Sequence, residues 1–256
     1  MTNDSTPKLM DLRDTFVVCG LSGTWPNPQP PPWNEKPYEL GIHYVRKLRE
    51  MVWAQIPRIP FICFTDREIP GIVTRYLPPY LKGWWFKMYV FAASNFPLGS
   101  RILCLDLDTC ITGPLDKILS VPLDVPVFIR DAWFGTNAGS GMFSFKVSPE
   151  TAKIWAEFPK GQEFPPYIHQ AGKFMAVTDE HWIQWYLKNR LGGWKSWDEL
   201  LGPKAVVSYK HHLHQSGAPL DPETRAVYFD GFPRPHEVVT SGWNKLQLPE
   251  YGRWPI

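Results

Sequence analysis

Asp106 and Asp108 stand two residues apart at the end of the apolar run Ile102-Leu103-Cys104-Leu105. On an extended strand such residues face the same side, so both carboxylates point to one place. Two anions that close repel each other, and they are stable together only when a cation lies between them or one takes up a proton. A hard divalent ion, Mn²⁺ or Mg²⁺, suits carboxylate oxygens and keeps coordination positions open for phosphates. The pair reads as a metal–diphosphate site. The competing reading is a turn at a strand end, with Asp108 capping the segment that follows. The apolar strand before the pair favours the metal site, as does Gly113-Pro114 after it, which leads into the amphipathic Leu115/Ile118/Leu119 segment.

Other residues of reactive type fall at element ends. Lys87 interrupts the apolar stretch Gly83 to Ala93, a predicted helix running directly into the aspartate strand. A lysine there either snorkels to solvent or meets an anion near the strand end, and its place in the chain favours the anion. Asp66 sits at the carboxyl end of FICFTD, where open α/β sheets bind ligands. The strand ending at Cys19 runs into Gly20 and Gly23, small residues that let a nucleotide approach the backbone. Asp179 and Glu180 open the helix predicted over Thr178 to Asn189. Capping alone would also explain them.

The elements that position these residues alternate. Strands are predicted over Phe16–Cys19, Phe61–Asp66, Ile102–Leu105, Val125–Trp133, Met142–Phe145 after a small-residue turn at Asn137–Gly141, Val206–Leu213 and Ala226–Val238, the last broken at Gly231. Amphipathic spacing predicts helices over Tyr38–Gln55 and Ala152–Phe158. Six prolines between Trp25 and Pro37 make a stiff polyproline-like loop, a substrate lid or a spacer. Residues 1–14 are expected to fray, and Trp243 to Trp254 to form a closing helix or ordered tail. Strand–helix alternation points to an α/β fold with a mainly parallel sheet and helices on both faces.

At 256 residues the chain is long enough for one domain over 1–256 with a substantial core. A net charge of +2 demands neither nucleic acid nor membrane as partner. Two basic groups, Arg46/Lys47/Arg49/Arg58/Arg67/Arg75 and Lys204/Lys210/His211/His212/His214, would hold a phosphate backbone if each shared a face; solvated positions are the plainer expectation. The four cysteines lack CxxC spacing and three lie in apolar runs, which points to a reduced, cytoplasmic protein. No signal peptide or membrane-length apolar run is read. The 13 tryptophans suit stacking on sugars or bases, and equally the filling of cores.

The ordered set FVVCGLSG, FICFTD, GWWFKMYVF, RILCLDLDTCITGPLD, FIRDAW, NAGSGMFSF, TDEHWI and FDGFPRPHEV resembles the glycosyltransferases of the GT-A fold, above all family 8 and related small bacterial and phage sugar transferases. It covers about Phe16 to Val238. The resemblance implies a Rossmann-like nucleotide-sugar fold and a hexosyltransferase-like, retaining enzyme acting on a UDP-sugar. It implies that Asp106 and Asp108 bind Mn²⁺ or Mg²⁺, with Asp106 also reaching the donor ribose. Lys87 matches a basic residue near the donor sugar and phosphates, Asp131 and Asn137 match donor-sugar contacts, and Asp179 matches the acid of an Asp-Gln pair in which Glu180 here replaces Gln. Gly231 and Arg234 match a Gly-x-x-Lys element, Arg234 clamping the diphosphate. The family's third metal ligand, a histidine, is absent before Gly231. Asp230 is the substitute, with His236 second.

The acceptor is open between a glycan and a hydroxymethylated base of phage DNA, and the setting is a bacterial or phage-infected cytoplasm. Two readings compete: a haloacid dehalogenase-like phosphatase with Asp106 as nucleophile and Asp108 as acid/base, and a sugar-binding module without catalysis.

Overall fold

The structure, a computed structural model, describes residues 12–23, 37–131, 135–159, 167–170, 173–176, 178–217, 219–231 and 233–240. Residues 25–36 of the expected proline-rich loop, most of the start expected to fray and the predicted closing segment lie outside these residues.

A seven-stranded sheet carries the site. Its strands are β1 (Thr15–Leu21), β2 (Phe61–Thr65), β3 (Val73–Tyr76), β4 (Arg101–Leu105), β6 (Val127–Arg130), β7 (Ala138–Lys146) and β10 (Lys195–Ser196), ordered β10-β6-β7-β4-β1-β2-β3. Strands β4, β1, β2 and β3 are mutually parallel, and β10 is parallel to β6. The central strands read as unbroken apolar runs because both their faces are covered. Val17, Cys19, Leu21, Leu103 and Leu105 pack on one side with Tyr44, Val45, Leu48 and Val52 of α1 (Pro37–Gln55). Val18, Ile102 and Cys104 pack on the other with Met88 of α2 (Phe86–Val90), Ile154 of α4 (Pro149–Ala156) and Ile183 and Leu187 of α5 (Asp179–Arg190). Full burial of each such Leu, Ile or Val contributes roughly 1.5–3 kcal/mol.

β7 departs from the parallel pattern, running antiparallel to both β4 and β6. Residues 131–137 are too short a link for a crossover helix, so the chain must turn back on itself. The small residues Ala138-Gly139-Ser140-Gly141, expected as a turn, are the first half of this strand. They allow close packing: a Cβ at Gly139 would meet Ile129 at 2.9 Å.

A second sheet brings the C-terminal part to the aspartates. β5 (Cys110–Ile111) follows Asp108 almost at once and pairs antiparallel with β12 (Ala226–Tyr228), which pairs in parallel with β11 (Val206–Ser208). The expected long strand over Val206–Leu213 stops at Ser208 and continues as a widened π-type turn, Tyr209–His214, capped by the Ser208 hydroxyl. The expected strand over Ala226–Val238 stops at Tyr228, and α7 (Pro235–Thr240) follows Gly231. The helix expected over Gly83–Ala93 is a 3₁₀ turn, Gly83–Trp85, followed by α2. Between them lie the remaining elements: α3 (Asp116–Ser120), α6 (Trp197–Leu201) and a hairpin of β8 (Tyr167–Gln170) and β9 (Lys173–Ala176).

Candidate active site

Lys87 leaves α2 on the side facing the end of β4, and only 3% of it is exposed. Its Nζ lies 2.9 Å from Asp106 Oδ1 and 3.3 Å from Asp179 Oδ2, and donates to Ser140 Oγ at 2.9 Å. Burial pushes the ammonium's pKa down, but Asp106, Asp179 and Glu180 outweigh it and hold the pKa above its ordinary value. Asp106 is pushed up to about 7 by burial, with Asp108 and Asp179 adding to it against the pull of Lys87.

Ser140 ties this centre to α5. Its hydroxyl donates to Asp179 Oδ2 at 2.6 Å, and its backbone N–H donates to Glu180 Oε1 at 3.0 Å. The helix itself is capped by Thr178, whose side chain accepts from the His181 N–H. Asp179 and Glu180 therefore do more than occupy a first turn. Gln184, one turn on, accepts from the Ala138 N–H at 2.8 Å and fixes α5 against β7. Burial and Asp179 push Glu180 above the usual carboxylate range.

Asp108 is 5% exposed, and its carboxylate is ion-paired to Arg234. It does not cap α3, whose N-cap is Leu115 with no side-chain bond. Burial raises its pKa, opposed by Arg234 and Lys87. Arg234 is presented by the turn before α7, where its N–H donates to Glu237. The same helix is locked to α1: the His236 ring shares a hydrogen bond with the Tyr44 hydroxyl and stands edge-on to that ring, 89° between planes.

Asp131 and Asn137 meet across the mouth of the β6–β7 connection, the Asp131 N–H donating to the Asn137 carbonyl at 2.9 Å. Asp131 is close enough to Glu180 and Asp230 to raise both their pKa values. Asp230 accepts from Ser208 Oγ at 2.6 Å and is held above its ordinary value first by burial. Gly231, at φ +77°, takes the left-handed turn that glycine favours and redirects the chain toward Arg234.

The predicted nucleotide edge is differently used. Cys19 is wholly buried beside Cys63, its register partner on β2, so only its backbone is available to a ligand. A Cβ at Gly20 would collide with the Phe86 ring, so that glycine makes room for protein. Asp66 faces outward, accepting from the Gly23 N–H at 3.0 Å and from Arg67 at 3.0 Å. That bond joins the ends of β1 and β2 at the sheet's carboxyl edge.

The structure brings Asp106, Asp108, Lys87 and Arg234 together. Asp230 and His236 turn to Ser208 and Tyr44, and among the described residues no three His, Cys, Asp or Glu side chains form a metal cage. The donor set still fits a hard cation shared with phosphate: a buried carboxylate, Asp108, beside a part-exposed one, Asp106, both held above their ordinary values first by desolvation, with oxygen-only chemistry. Sequence reasoning missed Ser140, Gln184 and Tyr228. Tyr228 is buried on β12, and the charges nearest its phenol are Asp230, Asp198, Asp131 and Glu180. A serine among glycines carries no motif; only the pairing of β7 with β4 reveals it.

No family model matches the chain, and no curated protein matches it. Solved structures do. The glycosyltransferase GlyE of Streptococcus pneumoniae TIGR4 superposes over 94% of this chain with a TM-score of 0.58 at 12% identity. This chain spans 60% of GlyE's length. An active-site mutant of LgtC superposes over 92% of this chain and 94% of its own, TM-score 0.54, 12% identity. The bifunctional glycosyltransferase WbbM matches 86% of this chain and 46% of its own, TM-score 0.53, 9% identity. The fold is that of the GT-A glycosyltransferases.

Proposed function

We propose that the protein is a glycosyltransferase of one GT-A domain that moves a sugar from a UDP-sugar to a hydroxyl acceptor with a divalent metal, Mn²⁺ or Mg²⁺. The observation that carries this is the meeting of Asp106, Asp108, Lys87 and Arg234 at the carboxyl end of β4, two acids and two cations from three distant segments. A further support is LgtC, solved as a galactosyltransferase in complex with donor and acceptor sugar analogs at TM-score 0.50.

In the proposed reaction the bond from the sugar's anomeric carbon to the diphosphate oxygen breaks, its electron pair going to that oxygen. The acceptor oxygen bonds to the same carbon and its proton passes to the departing phosphate. Lys87 and Arg234 face the oxygens that gain charge and stabilise it as it develops. Asp106 and Asp108 would hold the metal, whose charge would polarise the diphosphate. Asp179 and Glu180, already bound to Lys87 and Ser140, suit the stabilisation of positive charge on the sugar ring better than proton abstraction, in keeping with retention. Asp131, Asn137 and the Tyr228 phenol would orient the transferred sugar; Asp66, Gly20 and the Cys19 backbone would border the nucleoside, and Gly231 the diphosphate. Asp230, whose carboxyl lies within the field of Asp108, would be the further oxygen donor for the metal, with His236 second.

A glycan is the better acceptor than DNA. Arg46 donates to the Pro70 carbonyl, Lys47 pairs with Glu50 and Arg67 with Asp66, while Arg75 binds Asn95 and Lys204 pairs with Asp221. Cations engaged in this way are poorly placed for a phosphate backbone. No helix among the described residues is long and apolar enough to cross a membrane. The phosphatase reading lacks support from the fold.

Calorimetric titration with UDP tests the donor site. Binding that needs Mn²⁺ or Mg²⁺ and disappears with chelator is expected; UDP binding indifferent to metal would count against it.

A further inference from the structure

Among the described residues, Trp84 stands apart from the other tryptophans. Trp53 donates to the Ile59 carbonyl and lies under Arg49, and Trp197 donates to Met142. Trp85, Trp155, Trp182, Trp185 and Trp194 each pack against another aromatic ring. Trp84 is half exposed, at 50%, and among the described residues its indole has neither a ring partner nor a hydrogen-bond acceptor. Leaving a tryptophan face in water forgoes a large favourable burial.

Its position gives that exposure a use. Trp84 lies in the 3₁₀ turn directly before α2, three residues ahead of Lys87. Residues three apart in such a turn lie on nearly the same face, within about 60° around the axis. Trp85 turns instead to Phe158, and Phe86 to Gly20. Trp84 thus stands one turn before Lys87 on nearly the same side of this turn–helix unit, with its ring exposed beside the segment that supplies Lys87.

We infer that Trp84 is the platform for the acceptor and that the acceptor is a sugar, its apolar pyranose face stacked on the indole. The inference rests on the glycosyltransferase reading and the glycan acceptor above and adds the residue that seats that acceptor. A nucleobase would stack equally well on the ring, but the backbone phosphates that come with it would need cations, and Arg46, Lys47, Arg67 and Arg75 are engaged with protein partners.

The test uses the full chain with Mn²⁺ and its best UDP-sugar. Acceptors are lactose, maltose, cellobiose and an oligonucleotide containing hydroxymethylcytosine. Trp84→Ala is expected to raise the KM of the best disaccharide about tenfold or more, with the donor KM moving less than about threefold, and Trp84→Tyr to restore most of the loss. An unchanged acceptor KM in Trp84→Ala overturns the inference, as does transfer to the oligonucleotide alone. If no UDP-sugar turns over, the donor reading fails separately. Saturation-transfer NMR of the same disaccharides then decides: binding lost in Trp84→Ala and kept in Trp84→Tyr sustains the platform, and no binding by the parent chain overturns it.

Discussion

Arg234 and Asp108 form an ion pair across 126 positions of sequence. The pair closes the site: Asp108 hangs from the end of β4 through the turn into β5, and Arg234 arrives by way of β12, which is laced to β5. A buried carboxylate needs a cation. Arginine supplies it here, and the planar fork that serves the carboxylate also suits a diphosphate.

Arg234→Ala should therefore hurt twice, leaving Asp108 without its closest cation and the departing diphosphate without a clamp. A loss of about 10²–10³ in kcat is expected, with Arg234→Lys recovering part of it as a point charge. Steady-state kinetics of nucleoside diphosphate release read this directly.

Lys87 is the ammonium among the acids. Lys87→Met keeps the apolar stem and removes the charge, leaving Asp106, Asp179 and Glu180 facing one another. A stability loss of about 3–5 kcal/mol is expected by urea unfolding. A loss below about 1 kcal/mol would mean that Lys87 is not the group holding these acids together.

Stability should depend on pH in one direction. Asp106 titrates near 7 in the folded protein and near about 4 in an unfolded chain. Between those values the native state keeps a proton that the unfolded chain has released, so stability falls as pH rises through the window. Asp108, Glu180 and Asp230 are raised as well and act with the same sign. With chelator, Tm is expected to drop from pH 4 toward about 7.5; Asp106→Asn should flatten the slope, and added Mn²⁺ should oppose it by binding the ionised form.

Gly20→Ala separates packing from ligand access. The new methyl would strike the Phe86 ring, and forced repacking of a dense core costs about 1–3 kcal/mol. Thermal unfolding should show that loss with no ligand present.

Much of the architecture was legible in the sequence because the central strands are buried on both faces and so read as apolar runs: Phe61–Phe64 and Ile102–Leu105 mark their strands unaided. The aspartate pair was visible for the same reason, the run ending where the acids begin. What was hidden depends on pairing across the chain. β7 reads as a turn in Ala138–Gly141, since small residues signal flexibility locally and close packing only beside Ile129. Ser140 gains its role from lying between Lys87 and Asp179, 53 positions after the one and 39 before the other. β3 and β10 are short strands at the two edges of the sheet, with no periodicity long enough to read.

The central claim, that Asp106 and Asp108 serve the departure of a nucleoside diphosphate, is tested most directly by release of UDP, GDP or dTDP from their sugars, with Mn²⁺ or with chelator, in the parent chain and in Asp108→Ala. The expected result is release from a UDP-sugar that needs the metal and falls by about 10²-fold or more in the variant. Release from no donor, together with hydrolysis of a simple phosphomonoester that depends on Asp106, would contradict it.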